Sequence, residues 1–429
     1  MLKKCMNKII GEYRIYTNEE KWFIFFMMIC GYAISAEAAI TRSVSTSFFI
    51  DAYGAENFPY AWLASFPLNF LVVAFYSKFI PRLGCEKMMG TVITFTVIFN
   101  LFCILFLKSI YCLPFFLYLW KDIFIMFMFH NLWSVIHSTI PIKRAKYLYG
   151  VFYGMGGLGA VTGSLIPGFL AVILGSAKLL VTTVPLYFIT YLCYVAAVKI
   201  RNRISTSADI SMNNEKGEIF SGLKLIANSR LLKFILLIVV GMQLTSTLLD
   251  FQFCTFLNRE FTNLDLRTQF MGRLFGVVNS INIFLQFFGC AILLKAIGLK
   301  RTHIFIPVVL LIQAGMFFVN PTFGLICMTF GTIKSFDYSI FGIVKEMLYI
   351  PLNVAEKFQA KAVIDVFAYR SSKALGSFLI LGLGYFSSKD ITSLITVSIM
   401  CIFLIWIYSV LSMKEYFANL EMENLAEVK

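Results

Sequence analysis

Twelve apolar runs, each about as long as a membrane-spanning helix, divide this 429-residue sequence. A helix needs roughly 20 mostly apolar residues to cross the hydrocarbon core of a bilayer. Only 14% of the residues are charged, against about a quarter in an ordinary soluble domain. So few charges cannot cover a water-exposed surface, which argues against a soluble enzyme, a disordered chain or a secreted disulfide scaffold. We therefore predict an all-α polytopic membrane protein with spans near 22–40, 60–80, 88–108, 113–137, 148–173, 178–198, 232–254, 273–293, 303–319, 322–344, 362–386 and 391–411.

The longest polar stretch lies between the sixth and seventh spans and splits the chain into two sets of six. We predict an N-terminal six-helix bundle over 1–198 and a C-terminal six-helix bundle over 232–429. The residues between them, 199–231, are predicted to form a cytoplasmic linker. A short surface helix is expected within this linker, around 219–226.

Two short loops of the first half recur in the second half at similar offsets. Gly84 and Gly298 lie in basic loops and are 214 residues apart. Pro141 and Pro351 occupy the next equivalent loops and are 210 residues apart. Parallel repeats of six helices are typical of the major-facilitator architecture, in which the substrate site lies between the halves near the middle of the membrane.

Basic residues predict the orientation of the chain. The two ends and the even-numbered connections carry 27 of the 37 Lys and Arg residues, and the odd-numbered connections carry six. Cytoplasmic loops hold an excess of such residues, so we predict that both termini are cytoplasmic and that the first span is a retained anchor. The net charge of +14 fits this orientation rule, and it also fits a transporter or binding protein with an anionic substrate.

Polar groups inside the first-half spans are candidates for function because they are costly there. Glu37 is followed by a hydroxyl-rich stretch, 41–47, that contains Arg42. Hydroxyls beside an arginine suit a phosphate, and the alternative is that Arg42 reaches the outer interface. Lys121 and Asp122 in the fourth span are either a neighbouring ion pair or groups that line a cavity.

A glycine-rich segment in the fifth span, 154–159, fits the pattern GxGxxG. A dinucleotide fold requires a preceding strand, whereas here a basic loop precedes a membrane helix. We interpret these glycines, together with Gly163 and Gly168, as positions where two helices approach closely.

The second half carries the other candidates. Asp250, near the outer end of the seventh span, either binds a cation or proton, forms a salt bridge with a lysine, or caps the helix in water. Span ten and the segment after it hold the densest charged cluster, which includes Lys334 and Asp337 and continues through Asp365. This cluster is either ordinary cytoplasmic charge or a basic mouth that collects a polyanion. The substrate-binding candidates are Arg42, Asp250, Lys345, Glu346, Lys361, Arg370 and Lys373.

Metal, cofactor and catalytic sites are not predicted. The ten cysteines lie singly without a CxxC pair, and the three histidines show no ligand spacing with cysteines or carboxylates. Buried cysteines usually act as small apolar residues.

Two segments of this cluster, 341–352 and 361–376, resemble the ATP/ADP translocase family of obligate intracellular bacteria and plastids. Weaker similarity extends along the chain, at 54–59, 145–149 and 250–253. The resemblance implies a twelve-span, major-facilitator-like nucleotide transporter that works by exchange, without a covalent step. We expect a monomer in the bacterial inner membrane that binds a nucleotide and lipid but no nucleic acid.

Three departures from the family pattern affect the expected substrate. Ser45 stands where the exchangers carry a lysine, and Tyr118 stands where they carry a glutamate. The family's seventh-span glutamate is matched by Asp250. A proton-coupled symporter of another small metabolite on the same fold is therefore kept as the alternative. Because the first and seventh spans are repeat equivalents, we also consider that Arg42 and Asp250 pair at an outer gate.

Overall fold

The computed structural model describes residues 16–140, 142–204, 219–349, 352, 360–361, 363–364, 369–386, 391–413 and 416. All regular elements in these ranges are helical. The helices of the first half are α1 Asn18–Tyr53, α2 Phe58–Phe106, α3 Leu113–Thr139, α4 Ile142–Leu174 and α5 Val184–Ile204. Those of the second half are α6 Ile219–Asn228, α7 Arg230–Glu260, α8 Leu264–Phe284, α9 Cys290–Val319, α10 Phe323–Phe336, α11 Gly342–Met347, α12 Tyr369–Phe386 and α13 Ile391–Ser412.

Sharp bends at two equivalent glycines reconcile these helices with the twelve predicted spans. Gly84 in α2 has φ 76° and Gly298 in α9 has φ 79°. Only glycine adopts such angles without a steric penalty. Each bend ends one span and begins the next. The π-helical turns Leu285–Gly289 and Asp337–Phe341 join α8 to the first part of α9 and α10 to α11. With the short α6 set apart, the described residues therefore form twelve long helical segments. The prediction of an all-α polytopic protein is confirmed. The repeat seen in the sequence around Gly84 and Gly298 extends to the backbone conformation of these two glycines.

The first helix is longer than predicted. The span expected over 22–40 continues to Tyr53, and the hydroxyl-rich stretch is helical and mostly buried. The Ser43 hydroxyl donates to the Ala39 carbonyl at 3.3 Å, and the Ser45 hydroxyl donates to the Arg42 carbonyl at 3.3 Å. Because the helix itself satisfies these hydroxyls, they do not end it.

Glycines of α4 pack directly against the backbone of α1. A methyl group at Gly159 would overlap the backbone of Tyr32, and one at Gly163 would overlap that of Ala36. The interpretation of the GxGxxG segment as a close helix contact is therefore confirmed.

Gly163→Ala is expected to lower the thermal midpoint of the purified protein. Overpacking of a tight contact costs about 1–3 kcal/mol, which outweighs the roughly 1 kcal/mol that alanine adds to a helix over glycine. Gly150→Ala is the matched control on α4, because nothing lies within 4 Å of the added methyl group there. Equal midpoints for both variants in a thermal melt would contradict the contact.

Two compact units make up the chain. The first comprises Met1–Ala52, Leu68–Asn213 and Asn263–Ser280, and the second comprises Tyr53–Pro67, Asn214–Thr262 and Ile281–Lys429. The division at 1–198, 199–231 and 232–429 stays a prediction. Within the predicted linker, the expected surface helix is confirmed as α6, whereas residues 205–218 lie outside the described residues.

Each unit has a helix at its centre that carries polar side chains. In the first unit, α1 contributes Phe23, Met27 and Ile34 to a core shared with α3 and α5. In the second unit, α7 packs against α10, α12 and α13. A central helix is surrounded by protein, so polar groups on it meet other side chains before they meet lipid.

Candidate substrate site

One face of α7 carries three polar side chains. Gln243, Ser246 and Asp250 follow one another at spacings of three and four residues, which place them along one face of a helix. Because α7 packs against α10, this face has partners from α10.

Lys334 of α10 is the partner of Asp250. Its Nζ lies 2.7 Å from Asp250 Oδ1 and 3.0 Å from Oδ2. It also donates a hydrogen bond of 2.8 Å to the hydroxyl of Ser246. The side chains of Lys334 and Asp250 are 12% and 24% exposed. Of the alternatives for Asp250, the salt bridge with a lysine is therefore the one observed.

Asp337 lies three residues beyond Lys334, at the start of a π-helical turn, Asp337–Phe341. The Gln243 amide donates to both of its carboxylate oxygens, at 3.0 Å and 3.1 Å. π-Helical turns inside α-helices occur frequently at functional sites. We refer to Gln243, Ser246, Asp250, Lys334 and Asp337 as the α7–α10 polar cluster.

The charges of this cluster set its chemistry. It contains the carboxylate of Asp250 on α7, a helix long and apolar enough to cross a membrane, and the ammonium of Lys334 and the carboxylate of Asp337 in the predicted tenth span. Ionisable groups at such depth are costly unless they are paired, and they commonly mark substrate or ion pathways. The cluster can hold an anion at Lys334 or a cation at the carboxylates.

A second charged group joins three of the predicted candidates at the end of α11. Glu346 accepts from Lys361, and Lys345 Nζ lies 3.6 Å from Glu346 Oε1. Lys361 Nζ also lies 5.3 Å from the centroid of the Tyr349 ring. The Glu346 side chain is 46% exposed and that of Lys361 is 31% exposed, and a solvent-accessible pair of this kind contributes about 0–1 kcal/mol. These lysines can therefore exchange Glu346 for another anion at little cost.

The remaining candidates are placed as follows. Lys373 Nζ lies 5.7 Å from the Trp62 ring centroid. Arg370 belongs to α12, but its side chain and the whole of Asp365 lie outside the described residues. The Arg42 guanidinium lies 5.1 Å from the ring centroid of Phe275, within the first unit. Its pairing with Asp250 stays a prediction, and the observed partner of Asp250 is Lys334.

The ion pair of the second unit has sequence equivalents in the first. Glu37 precedes Asp250 by 213 residues, and Lys121 precedes Lys334 by the same number. This offset matches the one between the bent glycines within one residue. Each repeat of six spans therefore has a carboxylate on its first span and a lysine on its fourth span.

The first-unit equivalents have other partners. Glu37 is buried and accepts hydrogen bonds of 2.6 Å from Thr41 and from Tyr187. Lys121 Nζ lies 2.8 Å from Asp122 Oδ1, so of the two alternatives for these residues the neighbouring ion pair is the one observed. In each repeat the lysine thus forms an ion pair with a carboxylate. In the second repeat that carboxylate, Asp250, is on the first span of the repeat, whereas in the first repeat it is Asp122, next to the lysine itself.

Lys334 and Asp337 were named in the charged cluster of span ten but were not among the predicted substrate-binding residues. Gln243 and Ser246 were not selected at all. Their signal was the helical spacing of Gln243 and Ser246 with Asp250, which a search for charged residues alone passes over. Among the described residues, no three His, Cys, Asp or Glu side chains come together as a metal site.

Twelve helical segments, with a bend at an equivalent glycine in each half, define a polytopic all-α membrane fold of the major-facilitator type. The fold is similar to that of a bacterial homologue of the human lysosomal transporter Spinster, with a TM-score of 0.63 at 11% identity, covering 94% of this chain and 99% of that one. The predicted fold class is confirmed.

Sequence comparison is more specific about the family. The TLC ATP/ADP transporter family matches residues 105–417, and this chain belongs to that family. ADP,ATP carrier protein 1 of Chlamydia trachomatis serovar D is 25% identical over 347 residues, or 70% of this chain and 63% of that protein. ADP,ATP carrier protein 3 of Rickettsia conorii is 23% identical over 348 residues, or 70% of this chain and 68% of that protein. The chain thus spans less than two thirds of the length of the chlamydial carrier.

Proposed function

We propose that this protein carries nucleotides, namely ATP, ADP or a related polyanion, across a membrane by alternating access and exchange. Membership in the TLC ATP/ADP transporter family, matched over residues 105–417, is the observation that carries the proposal. The substrate crosses unchanged, so the protein is a carrier and not an enzyme.

The charged groups of the second unit support a polyanionic substrate. Lys334 lies in a spanning segment, where a low local dielectric strengthens its attraction for a phosphate. Lys345 and Lys361 both lie at the carboxylate of Glu346, so two positive charges meet one negative charge among these three described side chains. We assign Lys345 and Lys361 to the capture of substrate and Lys334 to its binding within the membrane.

The charge pattern supports a proposal for the setting of the carrier. We propose a monomer in the bacterial inner membrane, with both termini in the cytoplasm, that takes up a small anionic substrate and no nucleic acid. The alternative is a proton-coupled symporter of another metabolite. Ser45 and Tyr118, which depart from the family's charged pattern, are the observations that favour it.

Uptake by reconstituted protein separates the two functions. We expect labelled ATP or ADP to enter proteoliposomes that contain unlabelled ADP, and uptake to fall at least tenfold when the vesicles are empty. Protein-free vesicles are the control. Uptake that needs an inward proton gradient but no internal substrate would favour the symporter, and no nucleotide uptake under either condition would contradict the proposal.

A further inference from the structure

The ammonium of Lys334 is fully occupied in this structure. Two acceptors surround it, the carboxylate of Asp250 at 2.7 Å and the hydroxyl of Ser246 at 2.8 Å. Phe330 covers another side, with its ring centroid 5.5 Å away. An added anion can therefore bind Lys334 closely only if one of these acceptors moves away.

Asp250 is the acceptor that an arriving anion would meet first. Its side chain is 24% exposed, whereas Ser246 is buried, so Asp250 is the more accessible of the two acceptors. A lysine ammonium acts as a compact point charge, so it can bind a carboxylate or a phosphate in the same position. A phosphate on Lys334 would replace the Asp250 carboxylate.

We propose that Lys334 is an anion-binding residue and that Asp250 is its internal substitute ligand, which a phosphate group of the substrate displaces. This inference rests on the proposed function for the identity of the anion. Asp250 then has two effects. It keeps Lys334 neutralised within the membrane when the site is empty, and by competing with the phosphate it keeps binding weak enough for release.

A matched pair of variants tests the displacement. Asp250→Asn removes the competitor, whereas Glu260→Gln removes an equal charge from the exposed end of the same helix, ten residues beyond Asp250. Binding of pyrophosphate and of ATP to the purified full-length protein is measured by titration calorimetry. We expect Asp250→Asn to bind both at least tenfold more tightly than the parent, and Glu260→Gln to change the Kd less than threefold.

The double variant Asp250→Asn with Lys334→Gln assigns the gain to the lysine, since the tighter binding should disappear. If Asp250→Asn does not fold, Asp250→Ser removes the same charge with a smaller side chain. Unchanged or weaker binding by Asp250→Asn, or equal tightening by Glu260→Gln, would overturn the proposal. Nucleotide uptake by the parent with no effect of Asp250→Asn would reject the displacement alone. Tighter pyrophosphate binding without any nucleotide uptake would instead support the anion site and reject the proposed function.

Discussion

Lys334→Gln is expected to abolish nucleotide uptake and to lower the thermal midpoint of the purified protein. The substitution removes the cation that binds the substrate and leaves Asp250 without its partner in a spanning segment. Removing one partner of a buried ion pair costs roughly 3–5 kcal/mol, because the other charge stays buried and uncompensated. Uptake into proteoliposomes and a thermal melt of the same preparation measure the two effects.

The double variant Lys334→Gln with Asp250→Asn separates stability from transport. With both charges removed, the thermal midpoint should recover towards that of the parent, because the amide pair is cheaper to bury than a lone carboxylate. Uptake should stay absent, since no cation remains at this position. Full uptake in either variant would exclude Lys334 from the transport pathway.

Lys345→Ala is expected to reduce uptake at least tenfold while the amount of protein in the membrane stays unchanged. Lys345 lies at the end of α11 and shares Glu346 with Lys361. Its weak pair with an exposed carboxylate adds little stability, so the loss should appear in transport and not in folding. Uptake normalised to membrane abundance is the measurement.

Lys224→Ala is the matched control for this prediction. Lys224 is an exposed lysine of α6 in the same unit, so it has the same charge without the position next to Glu346. We expect its uptake to equal that of the parent. Equal uptake by Lys345→Ala and the parent would show that Lys345 has no role in transport beyond the basic charge expected of its loop.

The fold followed largely from the sequence, because the length of an apolar run decides whether it spans a bilayer. The end of α1 was the main error. Hydroxyls such as Ser43 indicate a boundary in a polarity profile, yet in the structure they donate to the carbonyls of their own helix. Gly84 and Gly298 were predicted to lie in loops. In the structure each is a single non-helical residue, and helix continues directly on both sides of it.

The site followed from the sequence only in part. Lys345, Glu346 and Lys361 were predicted together and do meet. Asp250 was also selected, but its partner depends on how α7 packs against α10. Lys334 is 84 residues away in sequence, and no local pattern encodes that contact. The pairing of Gln243 with Asp337 depends on the same packing.

The most direct measurement is an experimental structure of the protein with bound ADP. We predict a phosphate oxygen within hydrogen-bond distance of Lys334 Nζ, and a Lys334–Asp250 separation greater than the 2.7 Å of the present pair, beyond about 4 Å, the limit for an ion pair. ADP bound elsewhere, with the Lys334–Asp250 pair intact, would contradict the account.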